Sequence, residues 1–228
     1  MASDKDNLHV LYEDNHLIVV NKQVGDIVQG DRTGDQPLSE VVKAYLKEKY
    51  HKPGQVFLGV VHRLDRPTSG IVVFARTSKA LERFNKMLRD QVVKKTYWAL
   101  VKQAPEKRAD TLVGYLKKNP RNNKSSRYGT AIEGSKKAVL HYTLIKSLER
   151  YHLLEIDLET GRHHQIRCQL AAMGSPIKGD LKYGFDRPNK NGGIHLHARF
   201  IEFTHPVKKE KMALSAPAPD DPLWNACE

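Results

Sequence analysis

Cysteine is scarce in this sequence, and its scarcity excludes several kinds of protein. Only Cys168 and Cys227 occur among the 228 residues, and they form no Cys-x-x-Cys pair. Two distant cysteines cannot build a disulfide framework, and their spacing does not fit a zinc site or a dithiol redox centre. We therefore expect free thiols in a reducing compartment and predict a cytoplasmic protein.

Long apolar runs are also missing. Residues 1–7 are polar with no apolar segment behind them, and no stretch approaches the length needed to cross a bilayer. The sequence contains no glycine-rich phosphate loop, no nucleophile elbow and no cysteine–histidine dyad in a helical context. Cofactor-dependent chemistry has no support in these motifs, so we expect no cofactor.

Positive charge is present in excess. The chain holds 38 lysines and arginines against 26 acidic residues, which gives a formal net charge of +12. Such a surface attracts polyanions over long range, so nucleic acid is the leading partner. Solubility alone and an anionic membrane are the alternatives, but a membrane would need a basic amphipathic helix, which the sequence does not show. The most biased segment is 117–137, in which Glu133 is the only acidic residue.

The apolar patterning predicts an α+β fold. We expect a flexible N-terminus over 1–6 and a single domain over 7–228, long enough for one sizeable core. Because the elements do not alternate regularly, a doubly wound parallel sheet is not expected. The predicted elements are hairpins at 8–12 with 17–21 and at 139–146 with 153–159, strands at 70–75, 95–101 and 194–203, and helices beginning near Leu38, capped by Ser78, and running from Gly161 to Gly174.

The densest polar cluster is His-Arg-Leu-Asp-Arg-Pro-Thr-Ser-Gly at 62–70, in a predicted loop that leads into an apolar strand. A charged loop held by a rigid strand is a common place for a site. The alternative is that Asp65 only hydrogen-bonds a turn around Pro67, as aspartate often does. His62, Arg63 and Arg66 exceed what a turn needs, and they can keep Asp65 ionised near a polyanion.

A second polar cluster, Gly-Arg-His-His-Gln-Ile-Arg at 161–167, opens a predicted helix. The helix dipole disfavours cations at an N-terminus, so an anion should lie nearby, either a phosphate or a carboxylate such as Asp65. The alternative is a solvated basic turn. The spacing of Ile166, Leu170 and Met173 indicates that these three side chains anchor the helix to a core.

Two further features are ambiguous by themselves. His195 and His197 point to the same face of a strand, a spacing that some metal sites use, with His163 or His164 as a possible third ligand. Hydrogen-bonded strand histidines are the commoner explanation. Tyr97 taken alone is a packing residue.

Taken together, these residues resemble the RluA-type family of pseudouridine synthases, from about Asn7 to Trp224. Segment 62–70 resembles the family's catalytic motif, whose aspartate is essential. Lys-Thr-Tyr-Trp-Ala-Leu-Val at 95–101 is similar to the second motif, in which the tyrosine lies against the target base. Thr-Gly-Arg-His-His-Gln-Ile-Arg at 160–167 resembles the third, where the last arginine pairs with the catalytic aspartate. Gly179-Asp180, Tyr183-Gly184, 196–198 and 216–219 complete the order.

The resemblance implies a site and a fold. Asp65, Tyr97 and Arg167 would be catalytic. The fold would be a mixed, largely antiparallel sheet with a central RNA-binding cleft. Many relatives begin with an S4 domain, which we do not expect here, and Glu159 and 168–169 depart from the usual pattern. The implied substrate-binding residues are His62, Arg63, Arg66, Arg162, His164, Gln165 and Ile166.

The resemblance also implies an activity. We expect an RNA pseudouridine synthase that isomerises uridines in structured ribosomal or transfer RNA, without cofactor or metal, as a monomer with no obligate protein partner and no membrane. Phosphate contacts are expected from segment 117–137 and from Arg66, Arg76, Lys94 and Lys95. Two alternatives are a metal-dependent nuclease that uses the four histidines named above, and a non-catalytic RNA-binding assembly factor.

Overall fold

The computed structural model describes residues 3–31 and 33–228. A short 3₁₀ turn covers Leu181–Tyr183. In chain order the elements of the described residues are β1 (Val10–Glu13), β2 (Leu17–Lys22), α1 (Leu38–Lys49), β3 (Gly59–Val60), β4 (Ser69–Ala75), α2 (Ser78–Arg89), β5 (Lys94–Val101), β6 (Ala109–Asn119), β7 (Lys124–Tyr128), β8 (Lys136–Ser147), β9 (His152–Leu158), α3 (Gln165–Ala172), β10 (Leu196–Thr204), β11 (Lys211–Ser215) and α4 (Pro222–Asn225).

The chain divides into two compact units. The first comprises 1–93 and 198–219, and the second comprises 94–197 and 220–228. The predicted single domain over 7–228 therefore contains two centres of packing, and whether they fold as one domain stays a prediction. The mixed α+β class and the mostly antiparallel pairing are confirmed.

The first unit is built on two buried strands. Its strands lie in the order β1-β2-β4-β10, with β3 beside β4 and β11 beside β10. Every residue of β2 and β4 is buried, as the continuous apolar runs predict for strands covered on both faces. These two strands pair antiparallel from Leu17 with Ala75 to Lys22 with Gly70. The register sets the last residue of β2 beside the loop that precedes β4.

The second unit is a ladder of antiparallel strands in the order β5-β9-β8-β6-β7. Helix α3 packs on one face of this ladder, where Leu116, Ala138, Cys168 and Tyr183 form a buried apolar cluster. The helix ends at Ala172 and is followed by Gly174 with a φ of +88°, which confirms the predicted stop. The packing fixes the orientation of α3 and of the loop before it.

One detail of the sequence prediction is wrong, and three features were not predicted. The cap of α2 is Thr77, whose hydroxyl accepts from the Ala80 N–H, and not Ser78. No regular element was predicted after the strand at 194–203, but β11 and α4 follow it. Segment 117–137 contains the end of β6 and all of β7, although its lysines and arginines concealed the strand alternation. Asp180, missed as a partner, lies at the start of the 3₁₀ turn.

The predicted flexible N-terminus lies partly outside the described residues, which begin at Ser3. The Ser3 backbone N–H and hydroxyl donate to the carboxylate of Asp26 at 2.9 Å and 2.6 Å. Flexibility of the segment stays a prediction. Within the described residues, no helix is both long enough and apolar enough to cross a membrane.

Candidate active site

The loop that carries Asp65 is a tight turn between β3 and β4. The Thr68 backbone N–H donates to the backbone carbonyl of Asp65 at 3.0 Å. The bond that closes the turn therefore uses the main chain of Asp65 rather than its carboxylate.

The side chain of Lys22 supports this turn through hydrogen bonds. Its side chain is fully buried, and its ammonium donates to the backbone carbonyls of Gln23, Arg66 and Thr68 at 2.8, 3.2 and 2.7 Å. Burial lowers the pKa of Lys22 to about 8, and the negative charges of Asp26 and Asp65 act in the opposite direction. A positive charge thus lies next to the turn of segment 62–70 and attracts the Asp65 carboxylate.

We expect the buried ammonium of Lys22 to make the free energy of unfolding depend on pH. Between pH 8 and 10.5 the unfolded chain binds more protons at Lys22 than the folded chain does, because folding lowers its pKa. The free energy of unfolding should therefore rise with pH in this window by about 1–3 kcal/mol more for the wild type than for Lys22→Met. Urea unfolding at several pH values measures the difference. Lys79→Met, at an exposed position of α2, is the control, and equal slopes for all three proteins would contradict the prediction.

Gly70 permits the strand after the turn to approach its neighbour. Its φ is +113°, and a Cβ there would lie 2.4 Å from the carbonyl oxygen of Ala198 and 2.5 Å from its nitrogen. Only glycine tolerates both this conformation and this contact. The start of β4 is therefore rigidly seated against β10.

The other predicted residues of this loop have different surroundings. Arg63 is exposed, whereas His62 is half-buried and its Nε2 accepts from the Val73 backbone N–H at 3.2 Å. The Arg66 guanidinium lies 2.7 Å from the Asp35 carboxylate. The substrate-binding roles of His62, Arg63 and Arg66 stay predictions, and at the atoms named here His62 and Arg66 support the fold.

We predicted that Arg76 contacts phosphate, but its side chain is not available for such a contact. Its side chain is 7% exposed and lies 3.0 Å from the Glu13 carboxylate. The guanidinium also stacks on the ring of Tyr50, with 4.7 Å between the guanidinium carbon and the ring centroid. No local pattern in the sequence indicates this buried ion pair, because Glu13 lies 63 positions from Arg76.

Tyr97 lies on β5 in the second unit and is 8% exposed. It is paired with Ile156 of β9, while its neighbours Thr96 and Trp98 point to the opposite face, where they contact Asp157 and Glu155. The alternation predicted for this strand is confirmed. The backbone of β5 is thus held by regular pairing on the side that faces β9.

Gln165 organises the loop that precedes α3. Its side-chain oxygen accepts from the Arg162 backbone N–H at 2.9 Å and from the Thr160 hydroxyl at 2.8 Å, and its amide nitrogen donates to Val139 O at 3.0 Å. Arg162 donates its Nε to Lys137 O at 2.8 Å. These contacts assign Gln165 to loop structure, and its predicted contact with substrate stays a prediction.

Arg167 is held by the carboxylate of Asp180, which was not predicted as its partner. Its Nε and one Nη donate to the two carboxylate oxygens of Asp180 at 2.7 and 2.8 Å, which is a bidentate pair. The side chains of Arg167 and Asp180 are 6% and 1% exposed. We predicted an anion near this helix start, and Asp180 is one such anion. The plane of the guanidinium is therefore fixed.

A buried hydrogen-bond network surrounds this pair. The Tyr183 hydroxyl accepts from the Ser125 backbone N–H at 2.8 Å and contacts His164 Nδ1 at 3.0 Å. Burial raises the pKa of Tyr183 to about 12, so the hydroxyl stays neutral and can donate. The Arg167 guanidinium carbon lies 5.2 Å from the centroid of the same ring. His164 and Ile166 are both buried, and their predicted contacts with substrate stay predictions.

The structure groups the predicted residues in two sets. His62, Arg63, Asp65 and Arg66 share one anchored turn of the first unit, whereas Tyr97 and the residues of the 160–167 loop and α3 belong to the second unit. Convergence of Asp65 with Tyr97 and Arg167 stays a prediction. Sequence reasoning missed the role of Lys22 altogether. Its only signal was a lysine directly after the apolar run of β2.

The histidines proposed for a metal site have other partners. His195 Nδ1 accepts from the Asn189 amide at 2.9 Å, and its Nε2 lies 3.1 Å from the Asp221 carboxylate. His163 Nδ1 contacts the Ser125 hydroxyl at 2.9 Å. In the part of the chain that the structure describes, no group of three histidines, cysteines or carboxylates is arranged to hold a metal ion. Three of the four histidines required by the nuclease alternative, His163, His164 and His195, therefore have other partners.

Comparisons with known proteins agree on one family. Residues 16–172 match the family described as RNA pseudouridylate synthase. The chain is 34% identical to the ribosomal large subunit pseudouridine synthase D of Xylella fastidiosa, covering 94% of this chain and 67% of that protein. Synthase C of Haemophilus ducreyi is also 34% identical, with 92% and 65% covered. The chain thus spans about two thirds of the length of these relatives.

A solved structure shares the fold. The human protein RNA pseudouridylate synthase domain containing 4 matches with a TM-score of 0.77 at 24% identity, covering 93% of this chain and 89% of that one. At this identity the likeness concerns the fold alone.

Proposed function

The chain belongs to the RNA pseudouridylate synthase family, and from this premise we propose that it converts specific uridines of structured RNA into pseudouridine through the carboxylate of Asp65. The observation that carries the proposal is the turn of segment 62–70. Its backbone is closed by the main chain, anchored by Lys22 and seated by Gly70. The aspartate is therefore carried by a rigid loop.

The reaction is an isomerisation that needs one ionised carboxylate. The bond between uracil N1 and ribose C1′ breaks, the base turns, and a bond between C5 and C1′ forms. The proton lost from C5 is balanced by the proton gained at N1, so the composition of the RNA does not change. Asp65 acts at the sugar, either as a nucleophile at C1′ or as a base. This chemistry requires no cofactor.

The resemblance to the family assigns two further residues to the proposed reaction. Tyr97 stacks on the uracil and assists removal of the C5 proton, and Arg167 orients the Asp65 carboxylate. The bidentate contact with Asp180 supports this role, because it fixes the guanidinium in one orientation. The target uridine is flipped out of its helix, and the exposed side chain of Arg63 braces the gap.

The substrate is proposed at the level of RNA class. The relatives described above carry names that refer to the large ribosomal subunit, which supports ribosomal RNA, and transfer RNA is the other candidate. The net charge of +12 supports binding to either. We propose further that the protein acts in the cytoplasm as a monomer.

Tritium release tests the activity. The purified protein is incubated with cellular RNA labelled with tritium at uracil C5, and the label released to water is counted. Release is expected from at least one RNA pool and should persist in the presence of a chelator. If no pool releases label, the proposed function is wrong.

The target can be found by comparing strains. Pseudouridines are mapped across ribosomal and transfer RNA from a deletion strain and from its parent. The expected result is the loss of one or a few sites that a plasmid copy of the gene restores. Identical maps would contradict a role in either class of RNA.

A further inference from the structure

The outer face of strands β6, β7 and β8 combines aromatic and cationic side chains. We define the tyrosine–lysine face as Tyr115 and Lys117 on β6, Tyr128 on β7 and Lys137 on β8. Tyr115 pairs directly with Tyr128 on one side and with Lys137 on the other, and Lys117 pairs with Ser126. Directly paired residues of antiparallel strands point to the same face with their Cβ atoms about 5 Å apart. The four side chains therefore belong to one surface of the sheet.

That surface is the solvent side of the ladder. On β6 the alternate residues Gly114 and Leu116 are buried, whereas Val113 and Lys117 are exposed and Tyr115 is half-buried. Leu116 packs in the apolar cluster with Cys168 of α3. Because α3 covers the opposite face, the tyrosine–lysine face is directed away from the core.

Apolar side chains on this face are exposed to water, which is energetically unfavourable. Tyr128 is 37% exposed and Val113 is 46% exposed. An exposed apolar patch within a polar rim is typical of a binding site. The lysines beside the tyrosines indicate which class of ligand this face binds.

The charge around the face selects an anionic ligand. Segment 117–137 contains seven lysines and arginines and only Glu133 as an acidic residue. Lys117 and Lys137, which lie on this face, are both exposed. Cations that follow a backbone, together with rings that stack on bases, are the combination by which proteins bind single-stranded nucleic acid. A duplex offers phosphates but keeps its base faces covered.

We propose that the tyrosine–lysine face binds an unpaired segment of the substrate RNA, with Tyr115 and Tyr128 stacking on bases and Lys117 and Lys137 contacting phosphates. The inference rests on the proposed function, because it assigns a second contact to the RNA that Asp65 modifies. It adds a requirement on the substrate, namely an unpaired stretch besides the target uridine.

Binding of oligouridine tests the stacking. Fluorescence anisotropy measures the Kd for an oligouridine of about 12 nucleotides, within the length that stacking surfaces accommodate. Tyr115→Ala/Tyr128→Ala should raise this Kd by roughly thirtyfold or more, whereas Tyr115→Phe/Tyr128→Phe should bind as the wild type does because the rings remain. Ile145→Ala, at a residue of β8 that is 39% exposed, is the matched control and should bind normally.

Salt dependence tests the lysines. Lys117→Gln/Lys137→Gln should lower the slope of log Kd against log salt concentration by roughly one to two, since each phosphate contact contributes about 0.7 in single strands. Lys146→Gln, at an exposed position of the same strand β8, should leave the slope unchanged. An unchanged slope for the double variant would overturn the phosphate contacts.

The failure of this inference can be told apart from the failure of the proposed function. If the wild type releases tritium and the tyrosine-to-alanine variant keeps its KM and Kd, the face is not a binding site while the activity stands. If the tyrosine-to-alanine variant loses as much affinity for duplex RNA as it does for oligouridine, stacking on unpaired bases is overturned. If the wild type releases no tritium but oligouridine binding still depends on both rings, the activity fails and the binding face stands.

Discussion

Asp65→Asn is expected to reduce tritium release from RNA by about 10²–10⁴-fold or more, the range typical for the loss of a group that transfers a proton or attacks in the transition state. The substitution preserves the size of the side chain but removes its charge. Because the turn is closed by the backbone carbonyl of Asp65, the asparagine should leave the loop intact. A single-turnover assay with excess protein measures the chemical step without product release.

Matched controls separate chemistry from folding and from binding. Asp90→Asn removes a carboxylate of the same unit that is paired with Lys86 on the surface, and should retain full activity. Asp65→Asn should keep its RNA affinity and its thermal midpoint. Equal tritium release by Asp65→Asn and the wild type would exclude Asp65 as the reacting carboxylate. Intact phenotypes in cells that carry only the asparagine variant would favour the non-catalytic assembly factor.

Asp180→Asn is expected to lower the free energy of unfolding by about 3–5 kcal/mol, because it leaves the guanidinium of Arg167 buried without its partner charge. Both side chains are almost fully buried, so solvent cannot replace the lost contact. Urea unfolding followed by circular dichroism measures the loss. Asp186→Asn is the control, since its ion pair with Lys102 is exposed and should contribute less than about 1 kcal/mol.

A double substitution distinguishes the structural role of this pair from its role in the reaction. Arg167→Met with Asp180→Leu replaces two buried charges by apolar groups, a change that is often neutral or stabilising. We expect the double variant to regain most of the stability that Asp180→Asn loses, yet to release little tritium, because the proposed orienting group for Asp65 is gone. Recovery of both stability and activity would show that Arg167 only fills the core.

Local patterns predicted most elements but not all of them. The hairpin β1–β2, helix α1, strands β4 and β5 and the end of α3 were predicted from apolar spacing, because their side chains meet the core in a regular period. Strand β7 was missed, because Ser125 is its one fully buried residue and the remainder are polar. A strand that buries so little has no apolar alternation to detect.

Long-range contacts account for what was missed at the site. Asp65 was identified because its neighbours in the sequence are unusual. Lys22 lies 43 positions before it, and this distance in the sequence hides the contacts of its ammonium with the carbonyls of Arg66 and Thr68. Arg76 was assigned to phosphate for the same reason, since its charge was visible but its buried partner Glu13 was not.

By itself, the sequence determined the α+β class, the basic character of the chain and the three motifs that carry the resemblance to a pseudouridine synthase. These features depend on residues close together in the chain or on composition. Only the tertiary structure decided that Arg167 is clamped by Asp180, that Lys22 supports the turn of segment 62–70 and that two tyrosines share an exposed face with two lysines. Those facts arise from strand register and burial, which bring together residues that no local pattern connects.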